Sequence, residues 1–426
     1  MIIVDTALKQ RADAGNPIRV GLIGAGFMGR GLAIQMLNAL PGMEMVAIYN
    51  RTLETAKFAY TQAGAENVKQ VSSVTELEAA IDQKTYAITD DPMLLCEAGN
   101  IDAIIEATGE VEFGAHVVLR AIEHAKHIIL MNAELDALVG PLLKVKADKA
   151  GVVITNVDGD QPGVVMNLYR WVDMIGYKPI LAGNIKGLQD HYRTPKTQKG
   201  FADKHHQKPR MITSFADGTK ISMEMAVVAN ATGFKVGKRG MYGPECEHVT
   251  EASKLFPLEQ MLDGGLVDFI LGAEPGPGVF VLGYNENPVQ QQYMKYLKMG
   301  DGPLYTFYIP YHFPHLETSI TVARAVLFND AATKPIAGPV VDVLTLAKRD
   351  LTAGEKLDGI GGFTCYGETE NYDISRKNNF LPMSLAEDCI LKRDIKIDEV
   401  IGYEDVELPA GRLCDELRNE QNEMFK

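Results

Sequence analysis

The sequence predicts an α/β protein in three parts: an N-terminal parallel sheet, a mixed α+β region and a small β-rich C-terminal region. Three observations carry this. Residues 19–156 alternate apolar strands with helical segments, the texture changes after Asp160, and from about Ile336 it changes again to short strands and turns. Apolar runs bounded by helices on both sides mark strands buried on two faces, which is how a parallel sheet reads.

In order, "RVGLIG" (19–24) is the first strand, and a helix is expected from Phe27 to Leu40. "MEMVAIY" (43–49) is the second strand, with a helix over Thr52–Ala63. Residues 68–98 are less regular and suggest one or two inserted helices. Then come "IDAIIEATG" (101–109), a helix over 114–125, "HIILMN" (127–132), a helix around 141–150 and "GVVITNV" (151–157). Beyond Asp160, a helix near 161–175 leads to the strand "PILAGNIKGL" (179–188) and an aperiodic polar stretch, 189–210. Residues 211–233 suggest a hairpin turning at Asp217-Gly218. The proline- and glycine-rich pieces "AEPGPGVFVLG" and "MGDGPLYTFYIPYHFPH" suggest long loops between strands. The expected domains are 1–158, 159–335 and 336–426.

A chain of 426 residues with 46% hydrophobic and 23% charged residues can bury cores for two or three domains. The net charge of −14 disfavours a polyanion-binding surface, so nucleic acid is not an expected partner. Five scattered cysteines without a C-x-x-C pair point to reduced thiols in a cytoplasmic protein. Charges interrupt the N-terminus where a signal peptide needs an apolar run, and no stretch is long enough to span a membrane.

"GLIGAGFMGRG" places Gly24, Gly26 and Gly29 in the G-x-G-x-x-G register, with Phe27 and Met28 opening the following helix. The first glycine permits a tight turn, the second lets backbone approach a pyrophosphate, and the third lets helix pack on strand. The motif follows a strand and opens a helix near the N-terminus, so the N-terminal region is a Rossmann-type dinucleotide-binding domain. The second strand ends on Asn50 rather than on an acid. Asn50 can bond a ribose hydroxyl without repelling a 2′-phosphate, Arg51 can clamp that phosphate, and Thr52 can add a hydroxyl. The expected cofactor is NADPH. Thr108 and Gly109, after the fourth strand, lie where the nicotinamide half should run. This Rossmann region resembles the homoserine dehydrogenase and glucose–fructose oxidoreductase type. In "MNAE" (131–134) it lacks the lysine that many relatives place there.

For the substrate, "NIKGLQDHYRTPKTQKGFADKHHQKPR" (184–210) holds seven lysines and arginines against Asp190 and Asp203. It reads either as a solvated loop or as a basic lid for a phosphorylated or carboxylated substrate. Lys186 and Arg193 lead as ligand groups, followed by Lys204 and His205. Asp158 and Asp160, at a strand end, either form a turn and helix cap or take part in substrate binding, proton transfer or a divalent-ion site. Glu134 and Asp190 would complete the oxygen-rich set with Asp160 for Mg²⁺ or Mn²⁺. Lys220, Ser222, Glu224 and Asn230 fall at even offsets, so a strand would show them on one face.

Two C-terminal stretches echo each other, "LAKRDLTAGEKLDG" (346–359) and "ILKRDIKIDEVIG" (390–402). They resemble the small β-rich SAF domain. With the "NRT" edge, "EATG", "GNIKGLQDHYRTP", "SFADGTKIS", "VANATG" and "RGMYGP", the whole chain is similar to the 1-deoxy-D-xylulose 5-phosphate reductoisomerase-like (type II) family. That resemblance implies NADPH-dependent rearrangement and reduction of 1-deoxy-D-xylulose 5-phosphate to 2-C-methyl-D-erythritol 4-phosphate in isoprenoid precursor synthesis. It implies a phosphate clamp from Lys186, Arg193, Lys204 or His205, and a divalent ion on Asp160, Glu134 or Asp190. The rival readings are a homoserine-dehydrogenase-like oxidoreductase and a non-enzymatic cofactor-sensing or carbohydrate-binding module. A homodimer is the expected assembly.

Overall fold

The computed structural model describes residues 3–38 and 40–426. It divides into two compact units, one running to Asp160 and regaining Phe313–Lys334, the other combining Gln161–His312 with Pro335–Lys426. The expected three-part division differs in two ways. Residues 313–334 return to the first unit, and the C-terminal region clusters with the middle one.

The first unit holds α1 (Val4–Asp13), β1 (Ile18–Ile23), α2 (Phe27–Asn38), β2 (Met43–Tyr49) and α3 (Leu53–Gln62). It continues through β3 (Val68–Gln70), α4 (Val74–Asp82), β4 (Tyr86–Thr89), α5 (Pro92–Glu97), β5 (Ala103–Glu106) and α6 (Val111–Glu123). β6 (His127–Leu130), α7 (Ala133–Ala150) and β7 (Ile154–Asn156) complete the sheet, and α14 (Pro314–Phe328, numbered by its place in the chain) packs back on the unit. The seven strands are parallel, in the order β3-β4-β2-β1-β5-β6-β7. Strand order reverses beside β1, so the crevice at the carboxyl ends of β1 and β5 is the ligand position for such a sheet.

The irregular section 68–98 is two further strand–helix pairs. Their helix starts are written locally: Ser73 accepts from Glu76 N, and Asp91 accepts from Met93 N ahead of Pro92. The strands are only three and four residues long, too short to show a period. The helix expected over 27–40 is described to Asn38, and Ala39 lies outside the described residues. α7 begins eight residues earlier than the expected 141, capped by Asn132, whose side chain accepts from Leu135 N at 3.1 Å. α14 was not expected: its first two residues close the stretch read as loop, and the rest had no assignment. It places Val322, Ala323 and Ala325 in the same core as Val20, Leu22 and Leu32.

The second unit opens with α8 (Gln161–Met174) and β8 (Lys178–Lys186), followed by α9 (Pro195–Lys204), α10 (Pro209–Ala216) and α11 (Thr219–Thr232). α12 (Leu258–Leu262), β9 (Leu266–Leu271), β10 (Gly278–Tyr284), α13 (Pro288–Tyr296) and β11 (Leu304–Ile309) follow. The strands form one sheet, β11-β10-β8-β9, parallel only between β8 and β9. The C-terminal part holds β12 (Val341–Ala347), β13 (Cys365–Asn371), α15 (Tyr372–Lys377), β14 (Ile390–Leu391), β15 (Val406–Glu407) and α16 (Leu413–Met424).

Two expectations fail here. The hairpin at Asp217-Gly218 is a helix–turn–helix, with Gly218 at φ +90 between α10 and α11. Every residue from Thr219 to Ala231 is buried, and a helix buried all round shows no 3.6-residue stripe to read. The aperiodic stretch 189–210 contains α9, started by Thr194 in a capping box with Thr197 and by Pro195.

The C-terminal echo is a structural repeat. Leu351 and Ile395, which occupy equivalent places in the two stretches, exchange both backbone hydrogen bonds (2.9 and 3.0 Å). Ala353 N donates to Asp394 Oδ1 (2.9 Å), and Ile397 N donates to Asp350 Oδ1 (3.0 Å). Arg349 pairs with Glu355 as Arg393 pairs with Glu399. The two copies therefore interlock about a local twofold axis. All five cysteines are free, and no helix among the described residues is long and apolar enough to cross a membrane.

Candidate functional site

The glycine loop behaves as dinucleotide chemistry requires. Gly24 has φ +103, and a Cβ there would stand 3.0 Å from the Ala107 carbonyl group. A Cβ on Gly29 would overlap the Gly24 carbonyl oxygen, whereas one on Gly26 meets nothing within 4 Å. Gly24 and Gly29 thus build the turn, and Gly26 leaves the open space beside it. Phe27 is exposed and Met28 half-buried at the first turn of α2, where unpaired N–H groups face an anion.

Asn50 uses its side chain within the loop. Its Oδ1 accepts from Ala25 N (3.2 Å), and its Nδ2 donates to the Thr52 carbonyl (2.9 Å). It therefore fixes the glycine turn, with one lone pair and one N–H of its amide still unused by these two bonds. Arg51 and Thr52 are exposed, and no ion pair among the described residues holds Arg51. Further along, Thr108 donates its hydroxyl to Glu106 Oε1, and its backbone N–H reaches the same oxygen at 2.8 Å. Asn132 Nδ2 donates to the other oxygen at 2.8 Å. Burial raises the Glu106 pKa against these three donors. Glu106 thereby holds the Thr108-Gly109 turn, with Gly109 at φ +71, against the start of α7.

Glu134 lies buried in the first turn of α7, and Asp160 is half-buried after β7, both at the carboxyl edge of the sheet. Asp158 is engaged with the Arg324 guanidinium, which also binds Asp330 at 2.7 Å, so its role is to anchor α14. Gly159 sits against the Phe313 carbonyl, where any Cβ would collide.

In the second unit, Lys186 is half-buried at the end of β8. Arg193 Nε binds Asp190 Oδ2 at 2.9 Å, and Tyr192 N binds Asp190 Oδ1 at 3.1 Å. Asp190 therefore orients Arg193. Among the described residues, no three His, Cys, Asp or Glu side chains gather as a metal-binding group. Asp190, expected as an ion ligand with Asp160 and Glu134, is instead seen paired with the Arg193 guanidinium. Lys204 and His205 sit exposed at the end of α9, His205 against the Phe201 ring at 4.3 Å.

On α11, Lys220 and Glu224 lie one turn apart and are buried. Asn184, in the middle of the sheet, donates to Glu224 Oε2 (3.1 Å) and to Gln161 Oε1 (3.0 Å). Ser222 and Asn230 have structural partners instead: Ser222 bonds the Gly218 carbonyl, and Asn230 Oδ1 accepts from Val340 N. The even-offset argument fails because the segment is helical.

Two polar groups, Glu368 and Lys348, escaped the sequence reading. His191 Nδ1 is 2.8 Å from the Asp217 carbonyl oxygen and must donate to it, which leaves Nε2 facing Glu368 Oε1 at 3.3 Å. Burial raises the Glu368 pKa, against the charge of His191. Lys348 is buried and bonds buried Asp217 at 2.8 Å. Glu368 and Lys348 come from more than 100 residues beyond the groups they meet, so no local spacing announces them.

Residues 18–130 match the family model "Oxidoreductase family, NAD-binding Rossmann fold", and residues 159–318 match "Oxidoreductase DRL, catalytic domain". A homoserine dehydrogenase of Methylobacillus glycogenes is 26% identical over 215 residues, 48% of this chain and 47% of that protein. One from Neisseria gonorrhoeae is 26% identical over 44% of this chain and 40% of that protein. The chain thus spans less than half the length of these curated relatives. Among solved structures, a probable dehydrogenase from Thermotoga maritima aligns at 13% identity and TM-score 0.37, covering 63% of this chain and 73% of that one. Residues 18–130 thus form a Rossmann domain of the kind found in NAD-binding oxidoreductases.

Proposed function

We propose that this protein is an NADPH-dependent reductoisomerase that converts 1-deoxy-D-xylulose 5-phosphate to 2-C-methyl-D-erythritol 4-phosphate. The observation that carries the reading is the cationic pair Lys186 and Arg193. Lys186 ends β8 and Arg193 follows seven residues later in the basic segment of an acidic protein, both inside the stretch that matches the DRL catalytic domain.

The residues of the first unit fit a dinucleotide. The open side of Gly26 admits the pyrophosphate, the start of α2 offers N–H donors, and Arg51 meets a 2′-phosphate. When bound, NADPH supplies the hydride that reduces the rearranged aldehyde. Lys186 and Arg193 hold the substrate phosphate, and Asp190 keeps the Arg193 fork in one orientation. Glu134 and Asp160 stand as carboxylates at the carboxyl edge of the first unit's sheet. The described carboxylates do not assemble a donor set for a divalent ion, so no step is assigned to one.

A second reading, oxidation or reduction of a homoserine-like compound, draws on the homoserine dehydrogenases that match part of the chain. One assay separates the two. Protein, NADPH and 1-deoxy-D-xylulose 5-phosphate are mixed with and without Mn²⁺, and the nicotinamide absorbance is followed. Stoichiometric NADPH oxidation with formation of the branched polyol phosphate is expected. Turnover of homoserine or its semialdehyde, with none of the sugar phosphate, would replace the first reading by the second.

A further inference from the structure

Three successive residues of the basic segment are tied to the C-terminal repeat region, each by a different side chain. His191 Nε2 faces Glu368 Oε1 at 3.3 Å. Tyr192 OH donates to Asp398 Oδ2 at 2.8 Å. Lys348 Nζ donates to the Arg193 carbonyl at 2.8 Å, to Asp217 Oδ2 at 2.8 Å and to the Gly362 carbonyl at 2.9 Å. Those bonds use all three hydrogens of a buried ammonium group.

The local twofold shows which of these ties the repeat itself requires. Lys392 stands in the second copy where Lys348 stands in the first, and it is exposed. Gly354 stands in the first copy where Asp398 stands in the second. Both have positive φ, +83 for the glycine and +64 for the aspartate. Their N–H groups make equivalent bonds, Gly354 to the Leu391 carbonyl (2.7 Å) and Asp398 to the Ala347 carbonyl (2.8 Å). The turn favours glycine, yet the second copy carries an aspartate in left-handed backbone. Its carboxylate accepts from Tyr192 OH and, at 2.9 Å, from Tyr366 OH. Of the two positions that reach residues 192 and 193, one changes residue between the copies (Gly354, Asp398) and the other keeps its lysine but buries it only in the first (Lys348, Lys392).

We propose that Asp398 and Lys348 are positioning residues for Arg193, so that the C-terminal repeat is part of the substrate site and sets its affinity. The proposal rests on the reading of Arg193 as a phosphate clamp. Asp190, bonded to Arg193 Nε and to Tyr192 N, transmits the constraint from the fixed backbone to the guanidinium.

The decisive variant is Asp398→Gly, because glycine is what the first copy uses and it relieves the backbone. Its melting temperature should match or exceed that of the wild type, and NADPH affinity by fluorescence should be unchanged. KM for 1-deoxy-D-xylulose 5-phosphate should rise about 10-fold or more, with a smaller change in kcat. In an Arg193→Ala background the same substitution should add nothing to KM, which a general loss of structure would not reproduce. Hydrogen exchange of backbone amides 190–194 should quicken in Asp398→Gly. The paired variant Lys348→Met with Asp217→Asn, which leaves no buried charge, should do the same. Unchanged exchange at 190–194 in both variants overturns the positioning role, whatever the substrate. Faster exchange, with no turnover of the sugar phosphate by wild-type protein, keeps the positioning role and rejects the substrate.

Discussion

Arg51 is aimed by its neighbours. Tyr49 closes β2, Asn50 ties itself to Ala25 and Thr52, and the next side chain leaves a fixed loop into solvent. Arg51→Glu should raise KM for NADPH by about 10- to 100-fold, the worth of one charge-assisted contact, and move preference toward NADH. Steady-state kinetics with both cofactors checks this, and an unaltered NADPH preference removes Arg51 from the site. Asp268, in β9, carries a second residue-scale prediction. Its carboxylate accepts from Tyr242 N, Gly243 N and Phe269 N, yet burial lifts its pKa from 3.8 to about 6. The folded chain then keeps a proton that the unfolded chain releases between about pH 4 and 6. The resulting stabilisation is full below the unfolded pKa and disappears as pH rises through 6, a change of up to about 3 kcal/mol. Asp268→Asn does not titrate. Its stability deficit against wild type, measured by urea unfolding, should therefore be larger at pH 4.5 than at pH 7.5.

Elements with a continuous apolar run or a repeated chemical signature were legible. The strands β1, β2, β5 and β6 appear as apolar runs because helices cover both faces, and the glycine motif fixes where α2 begins. α11 was not legible, since its burial on every side erased the period that distinguishes a helix from a strand. β3 and β4 were too short to show one. The C-terminal echo was visible as words, and the structure supplies its grammar: each copy's aspartate caps the other copy's turn. Asp350→Ala and Asp394→Ala should therefore lower stability by similar amounts, about 1 kcal/mol each. The exposed Lys396–Asp350 pair adds little to the first. Denaturant titration of both variants tests the equivalence, and a cost confined to one of them would contradict it.

For the whole molecule, sequence distance decided what could be read. The glycine loop is contiguous, so its turn could be read from one stretch of sequence. The basic segment was found, but not the residues that hold it, because Glu368, Lys348 and Asp398 are contributed from 155 to 206 residues away or, for Asp217, by a misread helix. Asp158 looked like a site carboxylate because its partner, Arg324, lies 166 positions later in a helix hidden behind proline-rich text. The same helix bears on how the protein is made. During synthesis the Rossmann strands emerge first, but Val322, Ala323 and Ala325, which belong to their core, follow some 160 residues behind. At roughly 5–20 residues per second, that face of the nascent sheet waits about 8–32 s for its cover. In that interval an apolar surface stands open on the ribosome, where chaperone capture competes with folding.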